Sequence, residues 1–413
     1  MKTDLDRLMQ ERSIDAAVVT GVVKGNATMF YMVNGAAISH GTVIKKRGEA
    51  PVLVCSSMER EEAGASGLEI VDSSRYDYRK ILKEAGGDRL KAAVSYRKMI
   101  LKEFGVSGRV AFYGLGDTGS NWALLKALDE AMPDIEIVGE FDDDIFLTAR
   151  MTKDESEVER IRVAGRKTCE VVAGIRDHIA SQKLEGGTVI KDDGSPLTIG
   201  DVKSRIKVML VERRMIEEVD TIFAIGRDAG IPHSRGHDDD VIEAGKTIVF
   251  DIFPQEEGGG YFFDMTRTFV VGEASDEIVE HYRQLEECHD TVTTALEVGA
   301  PAGTYQTMTC EFFEKLGHET PRTNPQVTSG YVHSLGHGIG LNVHEKPTLS
   351  DMPGMDDKLV PGSIFTVEPG LYYPDKGFGM RIEDVYYARP DGVMENLTNF
   401  PRELVIEMQE TRG

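Results

Sequence analysis

The chain has 413 residues, of which 40% are hydrophobic and 28% charged, and its formal net charge at pH 7 is −23. This length favours two domains over one, and the composition is that of a globular protein rather than a disordered or membrane-embedded one. The negative charge would repel phosphates, so no nucleic-acid partner is expected. The four cysteines are far apart without a CxxC pair, which predicts buried thiols in a reducing compartment. Neither a signal peptide nor a run of 18 apolar residues is recognisable, which predicts a cytoplasmic protein without a membrane partner.

Short apolar strands alternate with helical stretches through residues 1–148, which predicts an α/β domain. The predicted strands are AAVVTGVV, GTVIKK, APVLVC, LEIVD and GRVAFYG, and the predicted helices are LDRLMQERS, YDYRKILKEA and NWALLKALDEAM. Near residue 150 the pattern changes, because Thr152-Lys153-Asp154-Glu155 matches a T-x-x-E capping box that would open a long amphipathic helix. We therefore predict two domains, residues 1–150 and 151–413.

The second part of the chain predicts a mixture of helices and strands. The polar segment LEGGTVIKDDGSP at 184–196 predicts an exposed loop or a hairpin insertion. From residue 247 onward alternating strands dominate, with one helix at about 276–297 by its period.

Four carboxylates and one histidine stand out in the second half of the chain. They are Asp251 in TIVFDIF, Asp264 in YFFDMTRTF, His337 in HSLGHGIG, Glu368 in FTVEPGLYY and Glu383 in RIEDVYY. Four carboxylates would cancel the four positive charges of two divalent cations, which would hold a bridging hydroxide as a nucleophile at neutral pH. Ligation rich in oxygen favours Mn²⁺, and the single histidine leaves Co²⁺ or Zn²⁺ open.

The two aspartates fit a β-hairpin. The intervening PQEEGGG predicts a turn, and alternation along the strands would place Asp251 and Asp264 on one surface. A cation between two such carboxylates would remove their repulsion. Taken alone, the alternative of two strand-end aspartates that meet solvent or cap a turn is favoured.

The two glutamates repeat this arrangement. Glu368 precedes Pro369-Gly370, which must end or bend its strand, and Glu383 shares a strand face with Arg381. Arg381 would then neighbour a metal carboxylate or a substrate group. The alternative is an Arg381–Glu383 surface pair, which would stabilise the fold very little.

Glycines on both sides of His337 would let the backbone approach a site closely. His333 and His337 form an H-x3-H pattern that would suit zinc on a helix, but the glycines argue against a helix, so His333 is expected to support the site. His344 in NVHEKP and His233 in GIPHSRGH are further candidates. A lone histidine is more often structural, and the recurrence of histidines beside this motif favours a functional role.

Together these segments resemble the pita-bread metallopeptidases, the group that holds methionine aminopeptidase, aminopeptidase P, prolidase and creatinase. The matching pieces, in family order, are PHSRG, VFDIF, YFFDMTRTF, GHGIGLNVHE, FTVEPGLYY and RIED. The resemblance implies a creatinase-type α/β N-terminal domain, an α+β pita-bread catalytic domain and a homodimer. It also implies that the five acidic and histidine positions bind two metal ions, and that His233 and His344 contact the substrate and steady the tetrahedral intermediate.

The chain departs from the family pattern at three places. Phe253-Pro254 follows the first aspartate where the family has Asp-x-Gly, and the two aspartates are thirteen apart rather than eleven. An even insertion preserves which face each strand presents. Family dipeptidases often carry Arg four positions after the residue matching His344, and this chain has Thr348 there. This substitution leaves room for peptides longer than a dipeptide.

With this resemblance, our hypothesis is hydrolysis of the bond between an N-terminal residue and proline. Glu368 would shuttle a proton to the leaving nitrogen if it keeps one lone pair free. Two other readings stay open. Gly114-Leu115-Gly116-Asp117-Thr118-Gly119 matches the G-x-G-x-x-G fingerprint for NAD, although it stands near the end of its domain. A non-catalytic binding module with the same fold would be expected to have lost metal ligands, and none is missing here.

Overall fold

The computed structural model describes residues 4–408, which fall into two compact units. The first comprises the chain up to residue 150 together with residues 258–260, and the second comprises residues 151–257 and the chain from 261 onward. Across the described residues, every helix is too short or too polar to cross a membrane.

A six-stranded sheet forms the centre of the first unit, with its strands in the spatial order β4-β3-β2-β1-β5-β6. The strands are β1 (Ala16–Val22), β2 (His40–Lys46), β3 (Val52–Cys55), β4 (Glu69–Asp72), β5 (Gly108–Tyr113) and β6 (Ile135–Val138). Strand β2 runs antiparallel to both neighbours, and the other five strands are parallel to one another. The five strands predicted from the sequence are confirmed, close to their predicted bounds.

Helices surround this sheet in the described chain. They are α1 (Leu5–Glu11), α2 (Ala27–Met32), α3 (Arg60–Gly64), α4 (Tyr78–Glu84), α5 (Arg89–Glu103), α6 (Thr118–Ala131) and α7 (Ile145–Arg150), with 3₁₀ turns at Ser57–Glu59 and Ser73–Tyr76. The three predicted helices are confirmed as α1, α4 and α6. Helix α5 escaped prediction because basic residues interrupt its apolar positions, yet Ile100 and Leu101 pack in the core with Val18, Val54 and Val110.

The second unit begins with the 26-residue helix α8 (Glu155–Ala180), and its capping differs from the prediction. The capping box predicted from Thr152 to Glu155 is wrong, because Asp154 is the N-cap. Its carboxylate accepts from the Glu157 N–H at 3.1 Å, and the Glu157 carboxylate accepts from the Asp154 N–H at 2.9 Å. Thr152 instead pairs with Ser363 in an isolated β-bridge. Two overlapping cap patterns occur here, and the D-x-x-E pattern forms.

Three more helices and a hairpin belong to this unit. The helices are α9 (Ile199–Glu212), α10 (Asp276–Ala295) and α11 (Gly303–Lys315), with 3₁₀ turns at Asp228–Gly230 and Pro374–Lys376. Strands β7 (Lys183–Glu185) and β8 (Thr188–Ile190) form the hairpin predicted within 184–196. Helix α10 confirms the predicted helix at 276–297, whereas α11 was not predicted.

Two main sheets and two small pairs contain the remaining strands. The first has the order β10-β11-β13-β21, the second has the order β15-β14-β16-β19-β20, and β12-β9 and β17-β18 are small pairs. The strands are β9 (Met215–Ile216), β10 (Ile222–Ile225), β11 (Thr247–Ile252), β12 (Gln255–Glu256), β13 (Met265–Val271), β14 (Gly336–Gly338), β15 (Glu345–Leu349), β16 (Ile364–Val367), β17 (Gly370–Tyr373), β18 (Phe378–Arg381), β19 (Asp384–Ala388), β20 (Met394–Asn396) and β21 (Val405–Ile406).

The two main sheets meet at a bridge between Thr266 and Glu383. Every residue of β11 and β13 is buried, so both faces of these strands are covered by protein. Helices α10 and α11 cover part of this layer, and Leu285, Phe313 and Phe365 belong to their shared core. Any charged side chain on these strands is therefore placed in the interior.

Candidate metal centre

Asp251 and Asp264 lie side by side at one end of the antiparallel pair β11 and β13. Asp251 pairs with Thr266 across the ladder, and Asp264 stands two residues before that threonine. Residues two apart on a strand share a face, so Asp264 and Thr266 point to the side on which Asp251 lies. This register agrees with the hairpin expected from the sequence, although the connection also contains the short strand β12, which pairs with β9.

Glu368 and Glu383 reach the same place from neighbouring strands of the second sheet. Strands β16 and β19 are antiparallel, and Glu368 directly follows one while Glu383 directly precedes the other. The Glu383 N–H donates to the Thr266 carbonyl at 3.1 Å, and the Thr266 hydroxyl donates to Glu383 Oε2 at 2.8 Å. Thr266 therefore orients one carboxylate of the cluster, a role that sequence reasoning missed.

His337 lies on β14, between two glycines that the packing requires. A Cβ atom at Gly336 would stand 2.1 Å from the Thr366 carbonyl oxygen, and one at Gly338 would stand 2.0 Å from that of Lys346. The backbone therefore passes too close to its neighbours for any side chain at these positions. Because His337 is on a strand, the alternative of a zinc pair on one helical turn with His333 is wrong.

The imidazole of His337 points into the carboxylate cluster. Its Nε2 atom is 3.5 Å from Glu368 Oε1 and 3.8 Å from Asp264 Oδ2. One donor atom from each of Asp264, His337 and Glu383 lies within 4.8 Å of the others. Such spacing lets the three side chains coordinate one ion.

The buried carboxylates of the cluster repel one another, and bound cations would remove this repulsion. Burial, followed by the charge of Glu383, raises the pKa of Asp264 and Glu368 well above the usual range. Burial and the charge of Asp251 raise the pKa of Glu383 to about 8. Burial, followed by His344, lowers the pKa of His337 to about 3, which keeps its nitrogen available as a ligand.

Two carboxylate oxygens of the cluster have no partner of their own. Asp251 Oδ1 and Asp264 Oδ1 are buried and accept no hydrogen bond from residues 4–408. A buried polar atom without a partner is costly, and a bound cation would satisfy both oxygens. The donor set of four carboxylates and a neutral histidine therefore fits divalent metal ions of the kind that favour oxygen.

One guanidinium, that of Arg381, stands against these carboxylates. It is 3% exposed, forms an ion pair with Asp251 and donates from Nε to the Thr266 hydroxyl at 3.0 Å. Its Nη1 donates to the Tyr372 hydroxyl at 2.6 Å. The alternative of an Arg381–Glu383 surface pair is wrong, because both side chains are buried and the partner is Asp251.

His333 is connected to Asp251 through the Tyr372 hydroxyl and the Arg381 guanidinium. Its Nε2 lies 2.9 Å from the Tyr372 hydroxyl, which accepts from Arg381, which in turn pairs with Asp251. Burial, followed by the charge of Arg381, lowers the pKa of His333 to about 4. Tyr372 was missed by sequence reasoning, because nothing local distinguishes it from Tyr373.

His233 and His344 are exposed, unlike the carboxylates. The ring of His344 is 4.3 Å from that of His337 and perpendicular to it. Desolvation lowers the pKa of His344, and the nearby His233 lowers it further. Thr348 lies opposite His337 in the β14–β15 ladder, where its N–H donates to Asp357 at 2.9 Å.

The fold and this cluster of buried carboxylates with one histidine are those of one class of proteins, the pita-bread metallopeptidases. Residues 159–390 match the sequence model of metallopeptidase family M24, and the chain belongs to this family. The fold is an α/β N-terminal domain followed by a pita-bread catalytic domain, as the sequence predicted.

Relatives of known sequence cover the chain to different extents. It is 26% identical to the Xaa-Pro dipeptidase of Lactobacillus delbrueckii subsp. lactis, over 98% of either chain. It is 29% identical to the probable dipeptidase PepE of Mycobacterium tuberculosis (strain CDC 1551 / Oshkosh) over 64% of its own length, a match that spans 62% of that relative.

Two solved structures share the fold over nearly the whole chain. The Xaa-Pro dipeptidase from Bacillus anthracis superposes with a TM-score of 0.76 at 25% identity, with 97% of both chains covered. The X-Pro aminopeptidase from Thermotoga maritima MSB8 has a TM-score of 0.73 at 24% identity, which covers 96% of this chain and 99% of that one. The second likeness concerns the fold alone.

Proposed function

We propose that the protein is a dinuclear-metal peptidase that hydrolyses the bond between an N-terminal residue and proline. The observation that carries this proposal is the buried cluster of carboxylates with the unpartnered oxygens Asp251 Oδ1 and Asp264 Oδ1. Membership of family M24 supports peptide hydrolysis. The choice of proline is supported by the relatives named Xaa-Pro dipeptidase that align along almost the whole chain.

The proposed ligands of the two metal ions are the five positions predicted from the sequence: Asp251, Asp264, His337, Glu368 and Glu383. Mn²⁺ suits this set best, and the histidine also allows Co²⁺ or Zn²⁺. Bound ions would supply Lewis acidity toward the scissile carbonyl and would make a water molecule nucleophilic at neutral pH. Arg381 and Thr266 hold Asp251 and Glu383 in place through the contacts described above.

The side chains of this site would do the rest of the chemistry. His344 and His233 are exposed beside the cluster, so either N–H can donate to the oxyanion that develops on the scissile carbonyl. A Glu368 oxygen with a lone pair free of metal would take a proton and pass it to the leaving proline nitrogen. That transfer matters because the proline amide nitrogen carries no hydrogen of its own.

We further propose that the substrate lies along the wall formed by His333 and Arg381. Both side chains contact the Tyr372 hydroxyl, so this wall is held rigidly beside Asp251. With Thr348 rather than an arginine near His344, no cation at that position selects a free dipeptide carboxylate. The accepted substrates therefore include peptides longer than a dipeptide.

The test is an activity panel with Mn²⁺ that compares a Xaa-Pro dipeptide, a Xaa-Pro-Yaa tripeptide and the matched Xaa-Ala-Yaa tripeptide. We expect release of the first residue from the proline tripeptide and little from the alanine control. Cleavage of the dipeptide alone would assign prolidase activity and would contradict the inference from Thr348 that longer peptides are accepted. No cleavage of any peptide by protein that binds two equivalents of Mn²⁺ would overturn the proposed substrate class.

Two other functions predict different results. A non-catalytic binding module would contain almost no metal after purification in the presence of Mn²⁺, because lost metal ligation is its expected trait. A dinucleotide-binding protein would gain thermal stability from NAD. In the structure the Asp117 carboxylate already caps helix α6 by accepting from Ser120 at 2.8 Å, so an anion occupies the place that a pyrophosphate would need.

The homodimer implied by the resemblance belongs to the proposal as well. Size-exclusion chromatography with light scattering should give twice the chain mass of 45.6 kDa. A monomer mass at the concentration used for activity assays would contradict it.

A further inference from the structure

The first unit contains a cavity of about 530 Å³ between its sheet and helix α5. Its floor consists of side chains that lie next to one another on one face of the sheet, since Thr20 pairs with Thr42, Thr42 with Val54, and Val18 with Phe112. Cavities that bind small molecules commonly have volumes of about 300–1,000 Å³. This one is therefore large enough for a ligand of modest size.

Helix α5 forms the opposite wall with residues at helical spacing. Ala93, Tyr96, Arg97 and Ile100 all line the cavity, and positions i, i+3, i+4 and i+7 lie on one helix face. Because the side chain of Ala93 is small, the space between the helix and the sheet is not filled at this point. The cavity is thus built from two facing elements of the same unit.

The cavity opens at the end of the sheet where α/β proteins bind ligands. The lining includes Cys55 and Ser56 at the end of β3, and Ser73 and Ser74 after β4. Strands β1, β3, β4 and β5 are parallel, so these are their carboxyl ends. In open α/β sheets the crevice at the carboxyl ends, where the strand order reverses, is the usual binding site. Here the order reverses around β1, which contributes Thr20 to the lining.

Arg97 gives the cavity an uncompensated positive charge. It is partly buried, and no carboxylate of residues 4–408 forms an ion pair or hydrogen bond with it. Desolvation lowers its pKa, and only the tyrosines Tyr96 and Tyr78 oppose that effect. A desolvated guanidinium without an anion is costly, and a bound anion would remove the cost.

The other polar groups around Arg97 leave room for an anion. The Glu59 carboxylate also lines the cavity, but it accepts from the Ser39 N–H at 2.6 Å. Desolvation and the Arg97 charge lower the pKa of His40, and the Glu59 charge opposes them. The net shift is downward, which leaves His40 a neutral donor at pH 7. The Thr20 and Thr42 hydroxyls lie 3.4 Å apart on the floor. These groups offer hydrogen bonds beside Arg97, which lacks an ion-pair partner in the described part of the chain.

We propose that this cavity binds a small organic anion, with its carboxylate or phosphate at Arg97 and an aromatic or aliphatic body against the apolar walls. Those walls are formed by Phe112, Tyr96, Ile100 and Leu101. One guanidinium with neutral donors matches one anionic group, and the apolar walls match a hydrophobic body. The site is independent of the proposed peptidase chemistry, because all its residues belong to the first unit.

The test is isothermal titration calorimetry on the full, Mn²⁺-loaded chain with phenylacetate, phenyl phosphate and the neutral isostere phenylacetamide. We expect at least one of the two anions to bind, and about tenfold weaker binding of the amide, because a charge-assisted hydrogen bond is lost. The tighter of the two anions assigns the anionic group as carboxylate or phosphate. No heat from either anion at about 10 mM, a concentration at which even weak millimolar binding shows, would overturn the proposal.

Variants locate the binding. Arg97→Gln should weaken anion binding about tenfold, and Ala93→Leu should weaken binding of all three probes because it fills the cavity. The exposed Arg79 in the same unit provides the control, and Arg79→Gln should leave the affinity unchanged. Asp264→Ala should leave it unchanged as well, since that residue belongs to the other unit. Unchanged affinity in Arg97→Gln, with an unchanged unfolding midpoint, or loss of binding in Asp264→Ala, would overturn the proposal.

Discussion

Two groups of buried charges lie back to back on the same strands, and they differ in how their charges are satisfied. On one face, Asp264 belongs to the carboxylate cluster with Glu383. On the other face, Arg267 pairs with Asp384 at 2.7 Å. Each residue of one group has a near neighbour in sequence in the other group: Arg267 follows Asp264 by three positions, and Asp384 follows Glu383 directly. Alternation along a strand sends side chains an odd number of positions apart to opposite sides.

The Arg267–Asp384 ion pair is satisfied by other residues of the protein, although His289 Nε2 beside it has no hydrogen-bond partner among residues 4–408. Arg267 also donates to four backbone carbonyls, those of Thr266, Glu383, Phe400 and Pro401, at 2.8–2.9 Å. The Asp384 carboxylate accepts a further bond from Asn396 at 3.1 Å. On the cluster side, four carboxylates face one guanidinium, and two carboxylate oxygens have no partner among the described residues. The contrast separates a structural ion pair from a site that needs ligands.

The largest expected effect follows from removing a carboxylate of the cluster. Asp264→Ala should lower kcat/KM for a Xaa-Pro peptide by about a thousandfold or more, because ligand loss removes electrostatic stabilisation of the transition state. Metal content, measured by atomic emission, should fall in parallel. Retention of full activity with both metal equivalents would contradict the assignment of Asp264.

A substitution at the same position, although it removes activity, should not destabilise the metal-free protein. Asp264→Asn removes one of several anions that repel one another in the interior, so the EDTA-treated variant should be at least as stable as EDTA-treated wild type. Added Mn²⁺ should stabilise wild type and leave the variant nearly unchanged. A clear loss of stability in the metal-free variant would mean that the cluster is satisfied without cations.

The second effect concerns the buried ion pair between Arg267 and Asp384. Arg267→Met should cost about 3–5 kcal/mol in the free energy of unfolding, because Asp384 is then left buried without its partner. The control is Arg166→Met, whose ion pair with Glu159 is exposed and should cost less than about 1 kcal/mol. Chemical denaturation measures both. Equal costs for the two variants would remove the distinction between the two faces.

The third effect tests how neutral groups support the cluster. Tyr372→Phe removes the hydroxyl that links Arg381 to His333, and should weaken metal affinity or activity by about ten- to a hundredfold. The adjacent Tyr373 is the matched control, because its hydroxyl contacts His318 instead. Titration of metal-free protein with Mn²⁺ measures the affinity. If Tyr373→Phe has the same effect, the link through Tyr372 is not specific.

Local sequence patterns predicted the first domain and part of the candidate site. The alternation of strands and helices predicted the α/β domain, and the PQEEGGG turn predicted that Asp251 and Asp264 share a surface, as their register shows. The glycines around His337 indicated close backbone approach, which the packing against Thr366 requires. The resemblance named the five proposed ligands, and their binding of metal stays a prediction.

Contacts between distant parts of the chain could not be predicted. Thr266 and Glu383 are 117 residues apart, and no periodicity relates them. Tyr372 and Arg267 owe their roles to partners on other strands, and either would pass as an ordinary strand residue. The capping box was misplaced because two patterns overlap, and only the path of Thr152 toward Ser363 decides between them.

The smallest effect concerns the pH dependence of the stability of the protein, to which His289 beside Asp384 contributes. Burial lowers the pKa of His289, which lies 3.5 Å from Asp384, to about 4. As the pH falls from about 6.5 toward 4, the unfolded chain takes up a proton that the folded protein refuses, so stability is lost in this window and retained above it. The stability of wild type relative to His289→Gln should therefore drop by about 2 kcal/mol between pH 7 and pH 5, measured by chemical denaturation. His237→Gln, at an exposed position, is the control for the histidine-to-glutamine change itself. A difference between wild type and His289→Gln that does not change with pH would show that His289 is protonated equally in both states.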